Sequence, residues 1–315
     1  MFSTRLSLSF DKIGCALGEK INKFILFSSR LSLSLYLLLI DNVENMNEGT
    51  AIDTEKYTLM LRIDSNELTY AYYHPAVDNS LVSEHIALHR GDVPAQAVER
   101  EVYAREILLQ PFKRVYVVLP SSHFVLVPND VATQGDKGVF FTSLYPDSEC
   151  DIVESSLPHI GAVMLSGADA GLTSFIRRTF NCPTLLHPLT ALCEYFYRKS
   201  RLGNQRKVYV HLYRGRMDVV CYSREGLLLA NSYNYGNAND AAYYVLNVWK
   251  QLGFDQAHDE VHIAGDGEVR RELSQLLRNY ILTVVPVIFP SNRLVLGSDA
   301  MQLPFDLTAL SLCEL

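Results

Sequence analysis

The sequence predicts an α/β protein built from two copies of a β-β-β-α-β-α unit on either side of a cleft. Three observations carry this. Residues 207–277 read strand, turn, strand, strand, helix, strand, glycine turn, helix. A fainter copy of that order opens at Tyr57. Continuous apolar runs such as residues 115–119 suit strands covered on both faces. With 315 residues, 48% hydrophobic and 20% charged, the chain has ordinary globular composition and the length for one large or two medium domains.

In the first copy, residues 57–63 alternate, turn at Asp64-Ser65-Asn66-Glu67, and return as a strand over 68–73. Residues 81–89 make a third strand. Pro94 precedes a helix expected over 96–109, with Val98, Val102 and Leu109 on one face. Strands follow at 115–119 and 124–127. Residues 133–158 read as loop-rich, a place for a smaller subdomain. A strand at 161–165 leads to a helix capped by Ser166 or Asp169. A short strand at 184–186 precedes a helix opened by Pro188.

The second copy is clearer. Residues 208–212 and 219–222 form a hairpin, and 227–232 a third strand. A helix capped at Asn239 carries Ala242, Val245, Leu246, Trp249 and Leu252 as its apolar stripe and stops at Gly253. The strand at 261–264 runs through Gly265-Asp266-Gly267 into a helix with Val269, Leu273, Leu276, Leu277 and Tyr280 on its inner face. The basic strip Arg198, Lys199, Arg201, Arg206 and Lys207 reads as a solvated linker between halves.

Residues 1–45 differ from the rest, being rich in Leu, Ser and Phe. The apolar run at 31–40 would span roughly 15 Å as a helix, about half a bilayer core. The expectation is a disordered extension, or a chain whose true start is Met46. The alternative is a membrane-associating segment over 24–40. The expected domains are therefore 1–45, a first half over 46–203 and a second over 204–315.

A net charge of −7 leaves no basic footprint for nucleic acid. The six cysteines show no CxxC pair, which suits reduced thiols in the cytoplasm. Cys182, His187 and Cys193 give three ligands at most, where structural zinc takes four. Ser121-Ser122 lacks a nucleophile-elbow motif, and no carboxylate cluster for a two-metal nuclease accompanies Asp64.

Three strand-end motifs remain. Residues 63–68 read IDSNEL, 211–215 read HLYRG, and 261–267 read VHIAGDG; LPFDLTAL lies near the C-terminus. On these motifs and the element order, residues 57–315 resemble the duplicated ribonuclease H-like core of actin, heat-shock chaperones and sugar kinases. More specifically, the chain is similar to a bacterial family, mainly from Bacteroidetes, known as domain of unknown function 3822 and described as having an actin-like ATPase fold. Actin-like pilus-assembly proteins are more distant in appearance.

The resemblance implies a cleft that holds ATP in the superfamily. Its first phosphate loop has the form strand-Asp-x-Gly-x-Thr/Ser. Here Asp64 and Ser65 stand, Asn66 replaces the glycine and Glu67 the hydroxyl. The second has the form Asp-x-Gly-Gly. Here His211 replaces the Asp, Tyr213 stands where the backbone should be bare, and Arg214 and Gly215 follow. The adenosine loop keeps Gly265 and Gly267 around Asp266. Close phosphate contact needs bare backbone amides, and phosphoryl transfer needs an ordered metal. The expected function is therefore a non-catalytic binding or assembly module with a protein partner and no cofactor. The alternative is a divergent nucleotide-binding ATPase or kinase using ATP and magnesium, held by Asp64, Asp218 or Asp266 with Arg214 toward phosphate.

Overall fold

The computed structural model describes residues 52–89, 94–132, 136–265, 267–287 and 303–313. Strands β1 (Thr58–Asp64) and β2 (Glu67–Tyr73) pair antiparallel around Ser65-Asn66, and β3 (Val82–Ala87) continues the meander. Helix α1 (Pro94–Tyr103) crosses to β4 (Arg114–Val118), parallel to β1. A small insertion follows: β5 (Phe124–Pro128), α2 (Asn129–Ala132), α3 (Gly138–Leu144), β6 (Asp151–Leu157) and β7 (Ala162–Ala168). Its strands form an antiparallel sheet ordered β5-β7-β6. Helix α4 (Ala170–Thr179) returns to β8 (Thr184–Leu186), parallel to β4. The first sheet is thus β3-β2-β1-β4-β8.

Helix α5 (Pro188–Ser200) leads into the second sheet. Strands β9 (Lys207–Tyr213), β10 (Arg216–Tyr222) and β11 (Leu227–Asn234) form a meander, and α6 (Ala238–Gln251) crosses to β12 (Glu260–Gly265). Helix α7 (Gly267–Leu277) crosses to β13 (Thr283–Pro286), and α8 (Phe305–Cys313) comes last. The order β11-β10-β9-β12-β13, with its last two strands parallel to β9, repeats that of the first sheet. This is the predicted duplicated ribonuclease H-like, actin-like arrangement.

Burial follows from the two-sided strands. One face of the first sheet (Leu59, Leu61, Ile63) packs on α1 and α4 through Val98, Val102, Phe175 and Ile176. One face of the second (Val208, Val210, Leu212) packs on α6 and α7 through Val245, Trp249 and Leu273. Helices α5 and α8 lie between the sheets. Leu307 and Leu310 of α8 meet Met60 and Val118 of the first sheet, while Phe196 of α5 stacks on Tyr209 of the second, centroids 4.2 Å apart.

Four local expectations are corrected. The helix expected over 96–109 ends at Tyr103 and resumes as a 3₁₀ turn, Glu106–Leu109. Arg105 adopts an extended backbone, with its guanidinium bonded to Glu84 at 2.7 Å; the break buries Leu108 and leaves Leu109 exposed. The stretch over 133–158, expected to be loop-rich with room for a smaller subdomain, contributes α3 and β6 to the small sheet, more regular structure than its sequence suggests. The β6 alternation is hidden in sequence because Ser155 fills a buried slot by bonding Thr190 at 2.9 Å. The cap of α6 is Asn237, whose Oδ1 accepts from the amides of Asn239 and Asp240, so Asn239 lies inside the helix. Tyr280 lies beyond the end of α7 and is exposed.

The basic strip is solvated only in part: Arg198 and residues 201–205 are exposed, while Arg206 and Lys207 are tied into the second sheet. Arg206 bonds Asp259 at 2.7 Å, Lys207 is buried with its amine on the Leu202 carbonyl, and Arg198 donates to the Cys313 carbonyl. Among the described residues, no helix is long and apolar enough to cross a membrane; residues 24–40 lie outside them.

Candidate functional site

The β1–β2 and β9–β10 turns meet between the two sheets. Glu67 is the meeting point. It is buried at the start of β2, where its Oε1 accepts from Thr69 Oγ1 at 2.9 Å and from the Tyr213 hydroxyl at 3.3 Å. His85 Nδ1 lies 3.0 Å from the same oxygen. Glu67 Oε2 forms an ion pair with Arg214 Nη1 from the facing turn. That turn is tight because Arg214 and Gly215 both adopt positive φ, 46° and 81°, as a two-residue hairpin connection requires.

Behind the turns lies a buried polar chain. Asp218 Oδ2 accepts from His211 Nδ1 at 3.1 Å, and Oδ1 from Arg216 Nε at 3.2 Å and from Ser232 Oγ. Burial alone would raise the Asp218 carboxyl, but the His211 hydrogen bond and the Arg216 charge hold it well below the usual carboxylate range. Arg216 also donates to the Ser121 carbonyl at 3.0 Å, which links the second half to the loop after β4. His187 caps α5: its Nδ1 accepts from the Leu189 amide, and its Nε2 lies 3.1 Å from the Ser121 carbonyl and 3.0 Å from Arg216 Nη2. Full burial, and then Arg216, push the His187 pKa down to about 4.

Asp64 at the end of β1 is half-buried. Burial raises its carboxyl, but Arg62 Nη1 at 2.9 Å and the Ser65 amide at 2.8 Å bring it below its usual value. Ser65 and Asn66 are exposed in the turn, and the Asn66 carbonyl accepts from the Leu88 amide at 2.8 Å. Gly215 uses its carbonyl to accept from the Tyr235 amide. Gly265 has φ +94°, and a Cβ there would run into the carbonyl of Leu212 on the neighbouring β9. The positive φ and the close approach of β9 both call for a glycine at this position. Gly267 is exposed at the start of α7 with open space around it, and Asp266 lies outside the described residues.

The expected site residues therefore fall at three neighbouring strand ends, with Arg214 turned to Glu67. Sequence reasoning missed Arg216 and Arg62, whose Nε bonds the buried Asp306 of α8 at 2.8 Å, and weighed His187 only as a metal ligand. One signal was available: an arginine inside the apolar strand TLMLRID needs a buried counter-charge. Among the described residues, no three His, Cys, Asp or Glu side chains are placed to share a metal ion.

The sequence profile of the family described as Protein of unknown function (DUF3822) matches residues 46–284. A solved structure from Bacteroides thetaiotaomicron, described as a protein with actin-like ATPase fold and unknown function, is 26% identical. The alignment covers 84% of this chain and 99% of that one, with a TM-score of 0.72. A PilM-PilN type IV pilus biogenesis complex aligns over 82% of this chain and 97% of its own at 15% identity and TM-score 0.53, a likeness of fold. No curated protein matches the chain.

Proposed function

Because this chain belongs to the DUF3822 family of proteins of unknown function, we propose that it is a non-catalytic actin-like protein working as a binding or assembly module. The observation that carries this is the Glu67–Arg214 ion pair, which closes the two turns that hold phosphates in the superfamily. A phosphate entering there meets the buried Glu67 carboxylate and competes with it for Arg214. The other carboxylates are engaged too: Asp218 is buried against His211 and Arg216, and the partly exposed Asp64 pairs with Arg62. Magnesium needs free oxygens.

In this reading the halves, 46–203 and 204–315, work as one framework, since α5 and α8 fill the space between the sheets. The partner is a protein; the PilM-PilN complex is a case of this fold in a two-protein assembly. The cysteines among the described residues are free thiols, which fits the cytoplasm.

The test is thermal denaturation of the full chain with ATP, with and without magnesium. A ligand at 100 times its Kd would add roughly 2.7 kcal/mol, so the expected absence of any shift is easy to read. A magnesium-dependent rise that disappears in Asp64→Ala would establish the alternative, a divergent ATPase or kinase.

A further inference from the structure

The negative charge of the chain is concentrated in one place. Residues 124–168, the insertion that holds β5, α2, α3, β6 and β7, carry six acidic side chains and one basic, a net −5 of the chain's −7. The rest of the chain sums to −2. Two of the six acids are answered locally: Lys137 bonds Glu154, and Arg177 of α4 lies 3.7 Å from Asp151. The excess falls on Asp130, Asp136, Asp147 and Glu149, all exposed. Asp136 turns one oxygen to the Gly138 amide at 2.9 Å, and among the described residues no basic side chain pairs with Asp136, Asp147 or Glu149. These acids flank apolar side chains that the fold leaves out. Helices α2 and α3 pack on the small sheet through Ala132 and Phe141. Val131, Val139 and Leu144 of the same helices stay outside, 43%, 55% and 59% exposed. The Ser148 amide closes a turn onto the Tyr145 carbonyl at 3.2 Å, which keeps Asp147 next to the end of α3.

We propose that the outer face of α2 and α3 docks a basic segment of a partner protein, whose lysine or arginine side chains meet Asp136, Asp147 and Glu149 while an apolar side chain rests on Leu144. Single exposed apolar side chains are ordinary on a surface. Here three fall between residues 131 and 144, and the charge around them is of one sign. An apolar patch with a polar rim is the usual mark of an interaction surface. Acids crowded on one small sheet repel each other, and a basic partner removes that repulsion. The apolar contact adds what charge lacks, because exposed charge pairs contribute little each in water. Other occupants suit the face badly. Nucleic acid and anionic lipid share its sign of charge. A second copy presenting the same face would set acid against acid.

This rests on the binding-module reading and names the chemistry of the partner. The nucleotide experiment probes the cleft and the one below only the insertion, so either can fail alone. The probe is a fluorescein-labelled hexapeptide with leucine at its second and fifth positions and lysine elsewhere. Its two controls replace the lysines with glutamate, or the leucines with serine. Anisotropy is read on the full chain at low salt and pH 8, where an ordinary imidazole is uncharged. The lysine–leucine peptide should bind at least about tenfold more tightly than the glutamate control, and more tightly than the serine control. Asp147→Lys combined with Glu149→Lys should weaken it at least about tenfold. Glu225→Lys combined with Glu272→Lys alters two exposed acids elsewhere and changes the net charge equally, and should leave binding nearly unchanged. Leu144→Ser should abolish the advantage over the serine peptide. Equal loss in the two double variants would mean attraction to overall charge and would overturn the proposal. So would equal binding of the serine peptide, an advantage that survives Leu144→Ser, or no binding of the lysine–leucine peptide.

Discussion

The guanidinium of Arg62 lies 4.1 Å over the ring of Tyr213, so a residue of the first sheet is seated on the turn of the second. The same side chain bonds Asp306 of α8 at 2.8 Å and Asp64 at 2.9 Å. Burial works against its charge, but Asp306 and Asp64 more than offset this and hold the proton on Arg62. One side chain thus ties β1, β9 and α8 together beneath the closed turns.

Breaking this tie from one side should be costly. Arg62→Met leaves Asp306, with no exposed surface, as an unpaired buried carboxylate. The expected loss in urea denaturation is about 3–5 kcal/mol. Arg62→Met combined with Asp306→Leu should recover much of it, because both charges then leave together. If the double variant is as unstable as the sum of the singles, Arg62 acts through packing instead of charge.

Acid should weaken the fold through His187. Its folded pKa, about 4, lies below the ordinary value of 6.5. Between these values the unfolded chain takes up a proton that the folded one refuses, so stability is intact above pH 6.5 and falls as the pH drops toward 4. Each unit is worth 1.36 kcal/mol, so the loss by pH 4 is about 3 kcal/mol. His262, also lowered by burial, acts in the same direction, and Asp218 adds its own loss at still lower pH. His187→Asn keeps a capping oxygen and removes the titration. Its stability curve between pH 7 and 4.5 should be visibly flatter; parallel curves would mean that His187 titrates normally.

The sheets were legible because two-sided burial leaves an unmistakable trace. Strands β9 and β10 are apolar almost throughout, and glycine turns separate β11, α6, β12 and α7. Strand β6 was not legible, because Ser155 satisfies its hydroxyl on Thr190 and so occupies a core slot without looking apolar. The degenerate turns were legible as departures at Asn66, Glu67, His211 and Tyr213. What they do instead was not, because Glu67 and Arg214 are separated by well over a hundred residues. Pairing across that distance leaves no local pattern; it depends on how the two meanders face each other.

Trp249 is expected to anchor the second half. It is buried on the inner stripe of α6 with its ring 4.9 Å from that of Phe254. Trp249→Ala should cost about 3–5 kcal/mol in chemical denaturation. Trp249→Phe should cost less, since it keeps the aromatic contact and removes an indole N–H that has no hydrogen-bond partner among the described residues. A neutral Trp249→Ala would mean that the α6 stripe contributes little to the core.

The two glycines of the 265–267 turn separate packing from ligand binding. Gly265 holds φ +94° with its α-carbon pressed against the Leu212 backbone, whereas a side chain at Gly267 would meet nothing within 4 Å. Gly265→Ala must therefore both strain φ and push β12 from β9. The expected loss, measured without any nucleotide, is well over about 1 kcal/mol. Gly267→Ala should stay within about 0.5 kcal/mol of the parent. If both were neutral in stability, the glycines would not be there for the fold, and a ligand at this helix start would be the better account of them. The expected asymmetry instead assigns Gly265 to strand packing.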